Sequence, residues 1–161
     1  MLASCKGGTE RNFAEDAWND PGRFLPPVPD NLSCGQRKGN ATVLDPRTLP
    51  ISISIFVVAA DGRILADCDA CAAQGVAVEQ ANRAIRKLGL NAERLRIQRV
   101  AILEALARYP STPAVWDALA RRNLLPDTSG RLRPWFTTTR TFLRGVAEIV
   151  LAQPPQDWIA P

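Results

Sequence analysis

The sequence predicts a mostly helical α+β protein with a C-terminal helical bundle of about four helices, one β-hairpin and an extended N-terminal arm. Apolar residues recur at helical spacing through most of residues 76–150. An alternating stretch with an Asp-Gly turn precedes them. The first 50 residues instead contain six prolines and five glycines. With 161 residues, of which 46% are hydrophobic, the chain is long enough for a single core.

The N-terminal arm, residues 1–50, lacks a sustained helix or strand pattern. Proline removes a backbone donor and favours extended geometry in the residue before it. A purely solvated segment would have few large apolar residues. The arm has several, namely Phe13, Trp18, Phe24, Leu25 and Val28. We therefore expect the arm to pack on its own domain, or on a neighbouring subunit or another protein partner.

A β-hairpin is predicted at residues 51–67. Residues 51–55 alternate between Ile and Ser, which is typical of a half-buried strand. Asp61-Gly62 is a strong signal for a tight turn before the return strand. Two strands alone are marginally stable in water, so we expect the hairpin to pack on the helices. Its exposed edge is a candidate for a subunit contact.

The predicted helices span residues 76–88, 92–109, 113–122 and 134–150, and residues 151–161 form a tail. Gly89 suits the left-handed position that follows a helix end. Asn91 is a good N-cap for the second helix. Pro113 suits the first position of the third helix.

Positive charge is concentrated in the helical part. The chain has a net charge of +4, but residues 75–150 contain thirteen Lys and Arg against six Asp and Glu. That segment is therefore +7, which leaves −3 for the rest. Such an asymmetry favours DNA or an acidic protein as partner, although a solvated helical surface rich in arginine is an equally simple interpretation.

The chain contains no histidine, which excludes Ser-His-Asp and Cys-His catalysis within it. It also has no glycine-rich loop for phosphates. We therefore expect a protein that is not an enzyme and needs no cofactor. No apolar run approaches the roughly 18 to 20 residues of a membrane span, so no membrane partner is expected. The expected location is the cytoplasm or a virion.

The four cysteines of the chain offer an alternative in which the protein binds zinc. Cys68 and Cys71 have the spacing of zinc ligands, and Cys5 and Cys34 complete a set of four. A zinc site would pin the arm to the hairpin, as in an adaptor that binds a protein such as RNA polymerase. A redox dithiol is disfavoured because acidic residues flank the pair. Ordinary reduced cysteines are the simplest interpretation.

The stretch from Ala101 to Trp116, AILEALARYPSTPAVW, resembles the first two helices of helix-turn-helix and winged-helix domains of bacterial and phage regulators and small terminase subunits. The resemblance covers about residues 92–150. It departs from the pattern at residues 123–133, because a helix-turn-helix has a turn of about three or four residues there. The extra length fits a small wing, with residues 123–125 paired against residues 131–133.

The resemblance implies a small non-enzymatic DNA-binding protein, either a regulator or a phage packaging component. Arginine and threonine suit phosphate contacts, and arginine also reads guanine edges. The DNA-facing candidates are Arg121, Arg122, Arg131, Arg133, Thr137, Thr138, Arg140, Thr141 and Arg144. Local capping by the threonines and ion pairs from Arg140 and Arg144 to Glu148 are the structural alternatives. The functional alternative is an assembly subunit of a virion or multiprotein complex, joined to its neighbours through the arm and the hairpin edge.

Overall fold

The computed structural model describes residues 37, 40, 42–44, 54–128 and 130–153. Most of the predicted arm and residues 154–161 of the tail lie outside these ranges. The elements are β1 Phe56–Val58, β2 Ile64–Ala66, α1 Cys68–Ala73, α2 Val78–Leu88, α3 Glu93–Ala107, α4 Pro113–Leu124, α5 Phe136–Leu143 and α6 Gly145–Leu151. The described part of the chain is thus mostly helical with one hairpin, which confirms the predicted fold class at this level. None of its helices is both long and apolar enough to cross a membrane.

The hairpin pairs β1 and β2 antiparallel, with Val57 opposite Leu65. The predicted Asp-Gly turn closes it: the Gly62 amide donates to the Ala59 carbonyl at 2.9 Å, and Gly62 has a φ of 79°. Both strands are short. β1 begins only at Phe56, and residues 51–53 lie outside the described ranges.

Side chains from α5 and from the α2–α3 connection pair with both outer edges of the hairpin. On β1, the Val58 amide donates to Thr141 Oγ1 of α5 at 3.2 Å. On β2, the Ile64 amide donates to Asn91 Oδ1 at 2.7 Å, and Asn91 Nδ2 donates back to the Ile64 carbonyl at 3.0 Å. The edge predicted for a subunit contact therefore has these backbone groups already paired within the chain.

The prediction that Asn91 caps α3 is wrong. The N-cap residue is Ala92, which makes no side-chain cap, and the Asn91 amide pairs with β2 instead. In contrast, the predicted end of α2 is confirmed. Gly89 has φ 59° and ψ 36°, and the Leu90 amide donates to the Ile85 carbonyl at 3.1 Å. This is the left-handed helix end that glycine favours.

Helix α1 was not predicted from the sequence, which placed only the end of the hairpin, at residue 67, before it. Asp67 is its N-cap, and its carboxylate accepts a hydrogen bond from the Ala70 amide at 3.0 Å. The helix buries Cys71 in a small core with Ile55, and Leu44 packs on the same core. Leu44 thus joins one part of the arm to the domain.

Arg99 is buried within α3, where it is only 4% exposed. Its Nη1 donates to the Gly62 carbonyl at 2.9 Å, and its Nη2 donates to the Leu90 carbonyl at 2.5 Å. The hairpin turn lies directly on this helix, since a Cβ on Gly62 would be 2.3 Å from the Arg96 carbonyl oxygen. Arg99 and Gly62 therefore hold the hairpin, the α2–α3 connection and α3 together.

Helices α4, α5 and α6 pack around the largest apolar cluster of the described residues. Its buried members are Leu119, Ala120, Leu124, Leu143, Ala147 and Val150. The prediction of one continuous helix at residues 134–150 is wrong. Arg144 has φ 49° and ψ −125°, which ends α5 and begins α6. The break turns α6 back onto α4 and α5 while keeping apolar residues of both halves in the same core.

The predicted wing is also not formed as a pair of strands. Residues 123 and 124 belong to α4, which extends to Leu124. The described residues of 125–133 contain no strand. They make a single closed turn, in which the Asp127 amide donates to the Arg131 carbonyl at 2.9 Å and the Gly130 amide donates to the Asp127 carbonyl at 2.8 Å.

Candidate nucleic-acid interface

The nine residues proposed to face DNA separate into an internal and an exposed group. Thr138 and Arg140 are buried, with 2% and 6% exposure. Thr137 and Thr141 are half-buried. The exposed members are Arg121, Arg122, Arg131, Arg133 and Arg144. The threonines of α5 and Arg140 therefore do not lie on an exposed face in this structure.

Arg140 forms an internal ion pair. Its Nε donates to Glu148 Oε1 at 2.8 Å, and its Nη2 donates to Glu148 Oε2 at 2.6 Å. The sequence predicted, as an alternative to DNA contact, that Arg140 pairs with Glu148 within one helix. In the structure the pair joins α5 to α6 across the break at Arg144. Such bidentate geometry is the strong form of a charge-assisted hydrogen bond. Arg140 and Glu148 border a cleft of about 370 Å³ that Arg144 and Ser54 also line.

Several polar groups that line this cleft are hydrogen-bonded within the chain. The Ser54 hydroxyl donates to the Phe56 carbonyl at 2.8 Å, and the Thr141 hydroxyl donates to the Thr137 carbonyl at 2.9 Å. Its lining contains two arginines, Arg140 and Arg144, and two acids, Asp67 and Glu148. The formal charges of these four side chains sum to zero, so the lining carries no net positive charge that would attract an anion.

The carboxylate of Asp127 closes the turn between α4 and α5. Asp127 Oδ1 accepts from the Arg131 amide at 3.0 Å, and Asp127 Oδ2 lies 3.5 Å from Arg131 Nε. Gly130 adopts φ 70° in this turn. The Arg131 side chain remains 76% exposed despite the contact. The turn therefore presents Arg131 and the nearby Arg133 to solvent.

We call Arg122, Arg131 and Arg133 the basic edge. Arg122 lies in the last turn of α4 and borders a cleft with Pro134, the residue that follows Arg133. The three arginines thus lie around the α4–α5 connection. Arg121, beside them, is already engaged: its Nε donates to Asp117 Oδ2 at 2.7 Å and its Nη1 donates to Gln153 Oε1 at 2.9 Å.

A second, smaller cleft of about 170 Å³ lies beside the basic edge, between α3, α4 and the start of α5. We call it the aromatic cleft. Its lining residues are Ile102, Ala105, Leu106, Tyr109, Leu119, Arg122, Asn123, Pro134, Trp135 and Thr139. Tyr109 is 45% exposed, and Trp135 is half-buried.

Trp135 has a strained backbone. It adopts φ 65° and ψ 25°, in the left-handed region. For a bulky side chain this region costs about 1–2 kcal/mol and is seldom occupied. Trp135 is the N-cap residue of α5, and its carbonyl accepts a hydrogen bond from the Thr139 amide at 3.0 Å. Trp135 also lines the aromatic cleft.

The two described cysteines differ in environment. Cys68 is exposed, whereas Cys71 is buried and its Sγ donates to the Ile55 carbonyl at 3.9 Å. Burial raises the pKa of the Cys71 thiol, which disfavours the thiolate that a metal requires. The described residues contain no group of three or more metal-ligating side chains. Cys5 and Cys34 lie outside the described ranges, so the four-cysteine zinc site remains a prediction.

Tyr109 and Trp135 are not among the site residues predicted from the sequence. Both fall within predicted helices, at residues 92–109 and 134–150. Tyr109 is instead in the turn after α3, since the helix ends at Ala107. Trp135 is the residue before α5 rather than a residue within it. The adjacent prolines were the available signal. Pro110 disfavours helical geometry at Tyr109, the residue before it. Pro134 suits a position just before a helix start, which would place Trp135 at that start.

Comparison with known proteins adds no relative. No family model, curated protein or solved structure matches this chain.

Proposed function

We propose that this chain is a small, non-enzymatic DNA-binding protein, a regulator or packaging component, which contacts the phosphate backbone through the basic edge at one end of a helix-turn-helix-like C-terminal bundle. The observation that carries the proposal is the exposure of Arg122, Arg131 and Arg133 around one connection. Among the described residues, only Asp127 contributes an acid partner to this set. Arginine forks match phosphate geometry and bind it bidentately.

The arrangement favours backbone contact over base reading. The described residues of the α4–α5 connection form no strands of a wing, and α5 buries Thr138 and Arg140, the residues that a recognition helix would expose. Phosphate contacts position a protein on DNA without reading sequence. We therefore propose binding that depends strongly on salt and weakly on sequence.

The test is a salt titration of binding to a random-sequence duplex, followed by fluorescence anisotropy. The variant carries Arg122→Gln, Arg131→Gln and Arg133→Gln. The logarithm of the affinity should fall with the logarithm of salt concentration, by about 0.9 per neutralised phosphate. Loss of all three contacts should therefore reduce the slope by roughly three.

The matched control removes three charges from the exposed face of α2, with Arg83→Gln, Arg86→Gln and Lys87→Gln. This variant should keep the wild-type slope. An equal reduction in both variants would show a general charge effect and count against a localised site. Absence of salt-dependent binding together with a single symmetric oligomer in light scattering would favour the assembly subunit instead.

A further inference from the structure

We propose that the aromatic cleft receives one unpaired nucleobase, so that the preferred ligand of this chain is DNA with a single-stranded end or gap. The proposal rests on the DNA binding proposed above and specifies which form of DNA is bound. It assigns separate tasks to adjacent features: the basic edge holds phosphates, and the cleft holds a base.

The size of the cleft restricts its occupant to a single flat group. At about 170 Å³ it is smaller than the roughly 300–1,000 Å³ of pockets that enclose a whole small-molecule ligand. Its lining includes the apolar side chains of Ile102 and Leu106 and the aromatic rings of Tyr109 and Trp135. Bases stack on such aromatic surfaces irrespective of their identity, because every base has a π-face.

The polar groups at the cleft suit a nucleotide. Asn123 Nδ2 donates to the Leu119 carbonyl at 2.8 Å, which leaves Oδ1 to accept from an amino or ring N–H group. Arg122 lies at the rim, where the phosphate of a stacked base would be. The described lining residues include no carboxylate that would repel that phosphate. An anionic, planar ligand is therefore complementary to the cleft in both shape and charge.

The strained Trp135 backbone gives an independent reason. Strained residues persist where the surrounding structure fixes them, and they concentrate at binding and catalytic sites. Here the surrounding fold holds Trp135 in the left-handed conformation, and Trp135 lines the cleft. Since the bases of an intact duplex are stacked and paired, extracting one costs free energy that a single-stranded base avoids. The cleft therefore favours DNA in which a base is already unpaired.

The test compares oligothymidylate with a blunt duplex of equal length, using the full chain. We expect wild type to bind oligothymidylate more tightly than the duplex. Tyr109→Ala should weaken oligothymidylate binding roughly fivefold to a hundredfold, the range measured when a stacking aromatic is truncated. Binding of the blunt duplex should remain within about twofold, because phosphate contacts are untouched. Tyr109→Phe keeps the ring and should behave as wild type.

The outcomes separate this proposal from the one on which it rests. If Tyr109→Ala weakens both ligands equally or neither, while the duplex keeps its arginine-dependent salt slope, the base cleft is overturned and DNA binding stands. If wild type binds neither ligand, both are overturned. Tyr109→Leu retains apolar surface at this half-exposed position, so a loss shared by the Ala and Leu variants but not by Phe is specific to the ring.

Discussion

At the scale of single residues, buried arginines decide how this chain is held together. Arg99 lies on the same helical face as Leu95, Ile102 and Leu106, at spacings of four, three and four residues. A cation within an apolar stripe must be paired, since an unpaired buried charge is very costly. Its position on the stripe was visible in the sequence. The hydrogen-bond partners of Arg99 could not be predicted. Gly62 lies 37 residues away, and its carbonyl reaches Arg99 only because of the conformation of the hairpin turn.

Replacing Arg99 with methionine should destabilise the fold by about 2–6 kcal/mol. Methionine retains much of the apolar stem, but the carbonyls of Gly62 and Leu90 each lose a donor, at about 1–3 kcal/mol apiece. The measurement is the free energy of unfolding from urea denaturation. Arg83→Met, on the exposed face of α2, is the control and should stay within about 0.5 kcal/mol of wild type. Similar losses in the two variants would show that Arg99 has no bridging role.

At the scale of elements, the sequence predicted those helix ends that depend on local chemistry. Gly89 ends α2 and Pro113 begins α4 as expected, because their conformational preferences act within one or two residues. The break at Arg144 was invisible for a physical reason. Ala147 and Val150 of α6 stay in phase with Leu143 of α5 because both helices pack on one core, so the periodicity predicts a single helix.

The break makes a second prediction, in which a substitution increases stability. Arg144 has φ 49° and ψ −125°, close to the first central position of a type II′ turn, where glycine is strongly preferred. Arg144→Gly should therefore stabilise the fold by about 1 kcal/mol, by relieving strain that an L-residue bears there. The same substitution within regular helix, Arg83→Gly in α2, should instead destabilise by about 1 kcal/mol. Thermal denaturation of both variants gives the two signs. A destabilising Arg144→Gly would mean that the exposed arginine side chain contributes more than the backbone strain costs.

At the scale of the whole molecule, side-chain hydrogen bonds join separate apolar clusters. The cluster of α4, α5 and α6 is one; another contains Val58 and Ile64 of the hairpin with Ile85 of α2. Thr141 connects the two by accepting from the Val58 amide across 83 residues of sequence. The spacing of apolar residues predicted which side chains are buried. It did not predict how many separate clusters they form. The same reason limited the site: the sequence identified exposed arginines, but the aromatic cleft is made by three elements that only the fold brings together.

Thr141→Val tests whether this connection makes the clusters fold as one unit. Valine has a similar shape to threonine but no hydroxyl, so the buried Val58 amide loses its acceptor, at a cost of about 1–3 kcal/mol. Hydrogen exchange should show the Val58 amide losing protection well beyond the decrease seen at Ile64, whose bond to Asn91 is retained. Thr137→Val is the control. Thr137 takes part in this hydrogen bonding through its backbone carbonyl, which valine retains. If Val58 and Ile64 lose protection to the same extent, the hairpin opens only with global unfolding, and the Thr141 contact adds stability without controlling a local opening.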